Sequence, residues 1–134
     1  MEDLYTRAVL GHLVSDYLLQ PKEMAIKKGV SHEWCFIHCL IYTICVCLFM
    51  WNFKPKTILA VFLSHYPIDR YSLGEKWLKM IKGRNLVDEW KAEDKHGLKP
   101  VHISFASIVY VVVDNTLHFL LLWFITIFIK RGRI

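Results

Sequence analysis

The sequence predicts an all-α fold: a polytopic membrane helix bundle of about four membrane-embedded helices plus one amphipathic interfacial helix. Three observations carry this expectation. The chain has 134 residues, the size of one domain, and 54% of them are hydrophobic, a share above that of an ordinary soluble domain. The run Trp34–Phe53 contains no Lys, Arg, Asp or Glu, and Pro100–Ile129 contains only Asp114. Both runs exceed the roughly 18 apolar residues that mark a candidate spanning helix. The few ionisable groups inside apolar stretches also recur at helix spacing, as His12-x-x-x-Asp16, His65-x-x-x-Asp69 and Asp114-x-x-x-His118.

The first embedded helix is expected over about residues 2–20, where Leu4, Ala8, Leu13 and Tyr17 form an apolar stripe and Pro21 stops it. A polar connector, PKEMAIKKGV, follows and ends at Ser31, a suitable N-cap for a helix over about 31–52. Pro55 suits the first turn of a third helix over about 56–68, whose end Pro67 disturbs. Ser72-x-x-Glu75 has the capping-box pattern. The helix it opens, over about 73–83, sets Leu73, Trp77, Leu78 and Ile81 among lysines, as an interfacial helix would. Residues 85–99 are a polar connector, and the last helix runs over about 101–129, long enough to tilt. Trp34, Trp51, Trp77 and Trp123 suit bilayer-edge anchors.

The net charge of +5 is spread over connectors and the C-terminus. That suits anionic headgroups and gives no support to a nucleic-acid partner. The basic C-terminus favours the cytoplasmic side, against the pull of the equally basic connector 70–99. The N-terminus has no secretory-signal pattern. Cys35, Cys39, Cys45 and Cys47 fall in one apolar helix and are expected to be free thiols acting as small hydrophobes.

Residues i and i+4 share one helix face, roughly 6 Å apart along the axis. Ionisable groups in apolar helices face inward and are functional by default. His12, Asp16, His65, Asp69, Asp114 and His118, joined by His38 from the second helix, therefore form a candidate metal set. Imidazole nitrogen and carboxylate oxygen suit Zn, Mn or Fe, and one or two divalent ions would offset the buried negative charge. Helix bundles build such centres from ligands one turn apart. The reversed order in the last helix suits an antiparallel neighbour. Asp16, Asp69 and Asp114 are the candidate catalytic groups. Gln20 and Asn115 are candidates to support a ligand or touch substrate, and Lys22, Lys27 and Arg70 to hold an anionic group. His32, His96 and His102 are expected at the interface. For any one His/Asp pair, a polar contact that locks two helices together is the simpler explanation; three pairs in three helices favour a shared centre.

The string GHLVSDYLLQ at Gly11–Gln20, followed by Lys22, resembles the opening of a family of bacterial and phage membrane proteins designated domain of unknown function 3307. That family's ordered elements, His-x-x-x-Asp-x-x-x-Gln, a His in the next helix, His-x-x-x-Asp, and Asp-Gln-x-x-His, fall here on His12, Asp16, Gln20, His38, His65, Asp69, Asp114 and His118. Asn115 stands where the family has Gln. The resemblance covers almost the whole chain. It implies a small multi-pass bacterial or phage-encoded membrane protein and no activity; the expected location is the bacterial inner (cytoplasmic) membrane.

The chemistry of the set favours metal-dependent hydrolysis of a lipid or lipid-linked phosphate, with the bilayer as partner. Two other classes stay open: metal-ion or proton transport, which with four short helices calls for an oligomer, and a non-enzymatic phage-type membrane interaction protein. The chain has no His-Glu-x-x-His motif, no clustered His-x-x-His-His boxes and no Cys-x-x-Cys-His motif, which argues against those zinc-protease, desaturase and haem chemistries.

Overall fold

A computed structural model describes residues 3–83 and 100–134. Every regular element among them is helical. Helix α1 is Leu4–Leu13, followed by a π-helical turn at Val14–Leu18. Then come α2 (Lys22–Lys27), α3 (His32–Met50), α4 (Pro55–Arg70), α5 (Leu73–Lys82) and α6 (Pro100–Lys130). The connector 85–99 with His96, and the side chain of His102, lie outside the described residues.

Helices α1, α3, α4 and α6 form an antiparallel bundle. Asp3 at the start of α1 pairs with Lys130 at the end of α6. Gly11 sits against Val46 while Gln20 reaches His38, so α1 and α3 run in opposite directions. Trp51 adopts a left-handed conformation (φ 53°), and Asn52 N–H bonds Cys47 O at 3.0 Å. This closes α3 and turns the chain directly into α4. Gly11 is required where it stands: a Cβ there would lie 2.8 Å from Val46 Cα and 3.0 Å from Cys45 O. Its absence lets α1 and α3 approach backbone to backbone.

The apolar core gathers Ala8, Tyr42, Val46, Met50, Val61, Leu122 and Ile125 near the end of the bundle that carries both termini. The opposite end is closed by α2 and α5. All four cysteines are buried and free, and Cys35 Sγ and Cys39 Sγ stand 3.9 Å apart without a bond.

Several expectations need correction. Among the described residues two helices, not four, are long and apolar enough to cross a membrane: α3 and the Ser107–Lys130 part of α6. The 10 residues of α1 and the 16 of α4 rise about 15 and 24 Å, short of a hydrocarbon core of about 30 Å. The first helix does not run uniformly to residue 20. It widens into the π turn, with Leu19 N–H bonded to Val14 O at 3.1 Å. The polar connector contains α2. Helix α4 passes through Pro67, which removes one hydrogen bond but leaves Tyr71 N–H bonded to Pro67 O at 3.2 Å. Ser31 does cap α3, accepting from Trp34 N–H at 3.5 Å. The Ser72 capping box does not form. Ser72 takes a left-handed conformation (φ 47°), and its hydroxyl caps nothing.

Candidate metal centre

The four bundle helices each bring two polar or aromatic side chains, one turn apart, to the same height. Because α6 runs against α1 and α4, its Asp-first order puts Asp114 level with Asp16 and Asp69, and His118 level with His12 and His65. Helix α3 contributes His38 to the carboxylate level and Tyr42, four residues on, to the imidazole level. At that lower level Tyr42 stacks on His65 (centroids 3.5 Å apart), His65 lies 4.5 Å from His118, and His118 stacks on His12 at 5.1 Å. The four histidines are at most 2% exposed.

Asp69 is the hub. Its Oδ2 lies 3.0 Å from His38 Nε2 and 3.1 Å from His65 Nε2, and those two nitrogens are 3.0 Å apart. Its Oδ1 is 3.6 Å from His118 Nε2. Asp16 Oδ1 is 3.6 Å from His38 Nε2, and Asp114 Oδ2 is 3.7 Å from His118 Nδ1. Three overlapping trios have donor atoms within 4.8 Å of one another: His38, His65 and Asp69; Asp16, His65 and His118; and Asp69, Asp114 and His118. Asp16 Oδ1 and His118 Nε2 are buried without a hydrogen-bond partner.

Hydrogen bonds around the cluster fix proton positions. His118 Nδ1–H donates to Asp114 O at 2.8 Å, so Nε2 presents a lone pair toward Asp69. Asn115 Nδ2 donates to Tyr17 Oη at 2.6 Å and to the Val111 carbonyl at 2.7 Å, which turns its Oδ1 toward His12. His12 Nε2–H therefore donates to Asn115 Oδ1 at 2.8 Å, and Nδ1 faces Asp16 at 3.5 Å. His12 belongs to none of the trios, and its Nδ1 is buried without a hydrogen-bond partner. Gln20 Nε2 stands 3.1 Å from His38 Nδ1. In that arrangement His38 Nε2 carries the proton and donates to Asp69. Rotating the Gln20 amide by half a turn presents its oxygen to Nδ1 and frees Nε2 as a lone pair.

Two residues of the site escaped the sequence reading. Lys28 Nζ lies 2.8 Å from Asp69 Oδ2 and 3.5 Å from His38 Nε2. Burial pulls the Lys28 pKa down, but the carboxylates of Asp69 and Asp16 outweigh it, and the net shift is upward from 10.5. Nothing in its loop sequence marks it. Tyr42 was legible in principle, since it follows His38 by the same four residues that separate the other pairs. Of the residues expected to hold an anion, Lys22 is exposed on α2 and Lys27 pairs with Glu23 at 2.8 Å. Arg70 bonds Gly29 O at 2.7 Å and His32 Nε2 at 3.2 Å, just outside the cluster.

The donor set fits a divalent ion in composition. The trio of His38, His65 and Asp69 is two imidazoles and one carboxylate on a single triangular face, an arrangement that suits a metal with open positions. Taken as ionised, the three carboxylates and Lys28 leave two negative charges, which one divalent ion balances. The Asp114 carbonyl holds the His118 ring with Nε2 free, and Gln20 does the same for His38 once its amide is turned. His65 has no such hydrogen bond: its Nδ1 is buried without a partner, and the Tyr42 stack holds its ring.

Fold and site define a class: an all-helical bundle with a buried His/Asp cluster and two helices long and apolar enough to cross a membrane. Within that class the chain belongs to the family described as protein of unknown function DUF3307, whose model matches residues 4–132. No curated protein and no solved structure matches the chain.

Proposed function

We propose that this chain is a multi-pass protein of the bacterial inner membrane that binds a divalent metal ion in its His/Asp cluster and uses it to hydrolyse a lipid or lipid-linked phosphate. The observation that carries this is the triangle of His38 Nε2, His65 Nε2 and Asp69 Oδ2, with edges of 3.0, 3.0 and 3.1 Å. Three atoms able to ligate a cation converge there from two helices. A bound Zn, Mn or Fe ion lowers the pKa of a coordinated water and polarises a phosphoryl oxygen. The chain's own residues supply the rest. Asp69, His38 and His65 hold the centre. Asp16 or Asp114, whichever lies free of the ion, accepts the proton of the attacking water. Membrane placement rests on the two spanning-length helices and on the apolar side chains that α6 leaves exposed, Ile108, Val112, Leu120 and Phe124 among them.

The test is the metal content of detergent-purified protein by mass spectrometry, beside an Asp69→Ala/His118→Ala variant. About one transition-metal ion per chain, lost in the folded variant, supports the centre. Hydrolysis of a lipid phosphate ester that tracks metal content then supports the activity. A second reading has its own observation: the Lys28 ammonium, 2.8 Å from Asp69 Oδ2, already meets the central carboxylate. On that reading the cluster is a polar lock between helices, and a metal-free wild type of undiminished stability would establish it.

A further inference from the structure

We infer that a cavity beside the cluster, roofed by α5, binds the phosphoryl group of an anionic lipid. The inference rests on the membrane placement proposed above and names a substrate class for that site, yet it uses residues outside the metal centre. The cavity has a volume of about 420 Å³ and is lined by Gly29, Arg70, Tyr71, Ser72, Glu75, Lys76 and Lys79. Three cations thus face one carboxylate. Among the described residues neither Lys76 nor Lys79 pairs with an acid; the Lys76 ammonium rests 5.4 Å from the Tyr71 ring centre. Arg70 is held in place from behind by Gly29 O and His32, and it directly follows Asp69, the hub of the cluster.

The wall of the cavity is built under constraint. Ser72 holds a left-handed backbone conformation that is strained for a non-glycine residue, and its hydroxyl caps no helix. Gly29 lies opposite, where a Cβ would come within 3.3 Å of Ser72 Oγ. The two residues bring the α2–α3 loop and the α4–α5 turn together with a free hydroxyl between them. A tetrahedral dianion suits this set, since it accepts from guanidinium, ammonium and hydroxyl at once.

The orientation of α5 favours a lipid as the source of the phosphoryl group. Its Leu78 is buried and Gly74 packs on Asp114, while Trp77, Met80 and Ile81 are exposed. An amphipathic helix with an exposed Trp, Met and Ile beside lysines lies in the headgroup layer with those side chains among the acyl chains. The cavity then opens at headgroup depth, where a phosphomonoester lipid meets Lys76 and Lys79 directly.

The experiment is titration calorimetry on the full chain in neutral detergent, with metal removed by chelator. The probes are dihexanoyl phosphatidate, dihexanoyl phosphatidylcholine and inorganic phosphate. Saturable phosphatidate binding, weakened about thirtyfold in Lys76→Gln/Lys79→Gln and reduced by added salt, supports the inference. Inorganic phosphate binding as tightly as phosphatidate keeps the phosphoryl site but makes free phosphate its source. Phosphatidylcholine binding as tightly as phosphatidate overturns it, as does a folded double variant with unchanged affinity. Circular dichroism of the variant checks that it is folded, and a Ser72→Ala variant, which removes the hydroxyl alone, gives a second readout: weakened phosphatidate binding supports the site, and unchanged binding in both variants overturns it. Because metal is absent throughout, failure of the metal centre leaves this result standing, and the reverse also holds.

Discussion

Cobalt(II) loaded into the metal-free protein reports the shape of the centre through its visible spectrum, and the structure fixes what that shape should be. Three equal bonds of about 2.1 Å reaching the corners of the His38, His65 and Asp69 triangle, with edges of 3.0, 3.0 and 3.1 Å, meet at about 92°. A tetrahedral ion with the same bonds needs edges of about 3.4 Å, so each donor would have to move apart by roughly 0.4 Å. His65 is clamped on Tyr42 and both histidines are fully buried, so the packed interior resists that opening. The expected product is six-coordinate, with three protein donors on one face and water on the other. That geometry suits Mn or Fe better than structural Zn, which prefers a closed tetrahedron. Six-coordinate Co(II) absorbs weakly in the visible, whereas tetrahedral Co(II) absorbs strongly. Stoichiometric cobalt with weak bands is therefore the expected outcome. Stoichiometric cobalt with strong bands would refute the argument from the triangle while leaving the centre intact, and no bound cobalt would refute the centre.

Gly11→Ala should destabilise the bundle by about 1–3 kcal/mol, because the new Cβ meets the Val46 and Cys45 backbone; an unchanged melting temperature in detergent would mean α1 does not pack there. Asn115→Leu leaves the buried His12 Nε2–H without its acceptor and should cost about 1–3 kcal/mol in chemical denaturation, with the His12 tautomer becoming mixed in nitrogen NMR. Lys28→Met should cost about 3 kcal/mol at neutral pH by leaving Asp69 without its ammonium. The folded Lys28 pKa lies above its ordinary 10.5, so its contribution is complete below that pH and is lost as pH rises through the folded value. Wild type and variant should therefore converge at alkaline pH, and a gap that stays constant there would exclude the Lys28–Asp69 pair as its cause.

Much of the fold was legible because the apolar runs are long and the exceptions within them are few. Trp34–Phe53 and Pro100–Ile129 mark α3 and the part of α6 long and apolar enough to cross a membrane, and Ser31 marks the start of α3. The short α1 and α4 were read as embedded from their inward polar pairs rather than from their length, and length is where the expectation exceeded the structure. The π turn around Asp16 left no mark in the sequence, since one extra residue per turn does not alter residue types. The capping box at Ser72 failed because the turn that ends α4 holds Ser72 in a left-handed conformation, its N–H bonded to Asp69 O at 3.3 Å, and a local pattern does not see that turn. Lys28 was hidden for the same reason: a lysine in a lysine-rich loop looks like solvent-facing charge until a buried aspartate is placed beside it.

The order of residues within the pairs holds more information than their presence. Carboxylates repel one another, yet Asp16, Asp69 and Asp114 sit at one level, next to His38 and Lys28 and above the imidazoles. With His first in α1 and α4, a parallel α6 carrying the same order would give the same layers, and so would an antiparallel α6 with the order reversed. The sequence has the reversed order, Asp114 before His118. It thereby encodes the direction of α6, which the Asp3–Lys130 pair at the far end independently fixes. A polar contact between two helices needs only one His and one Asp to meet. Keeping three carboxylates on one layer, across a change of helix direction, is a stronger condition, and the cation proposed above would supply a physical reason for it. Exchanging the pair, as Asp114→His/His118→Asp, preserves composition, charge and helix spacing while moving one carboxylate down a turn. A centre that depends on the layer should lose its metal with the bundle still folded, whereas a lock that needs only His/Asp contacts should be indifferent to the exchange.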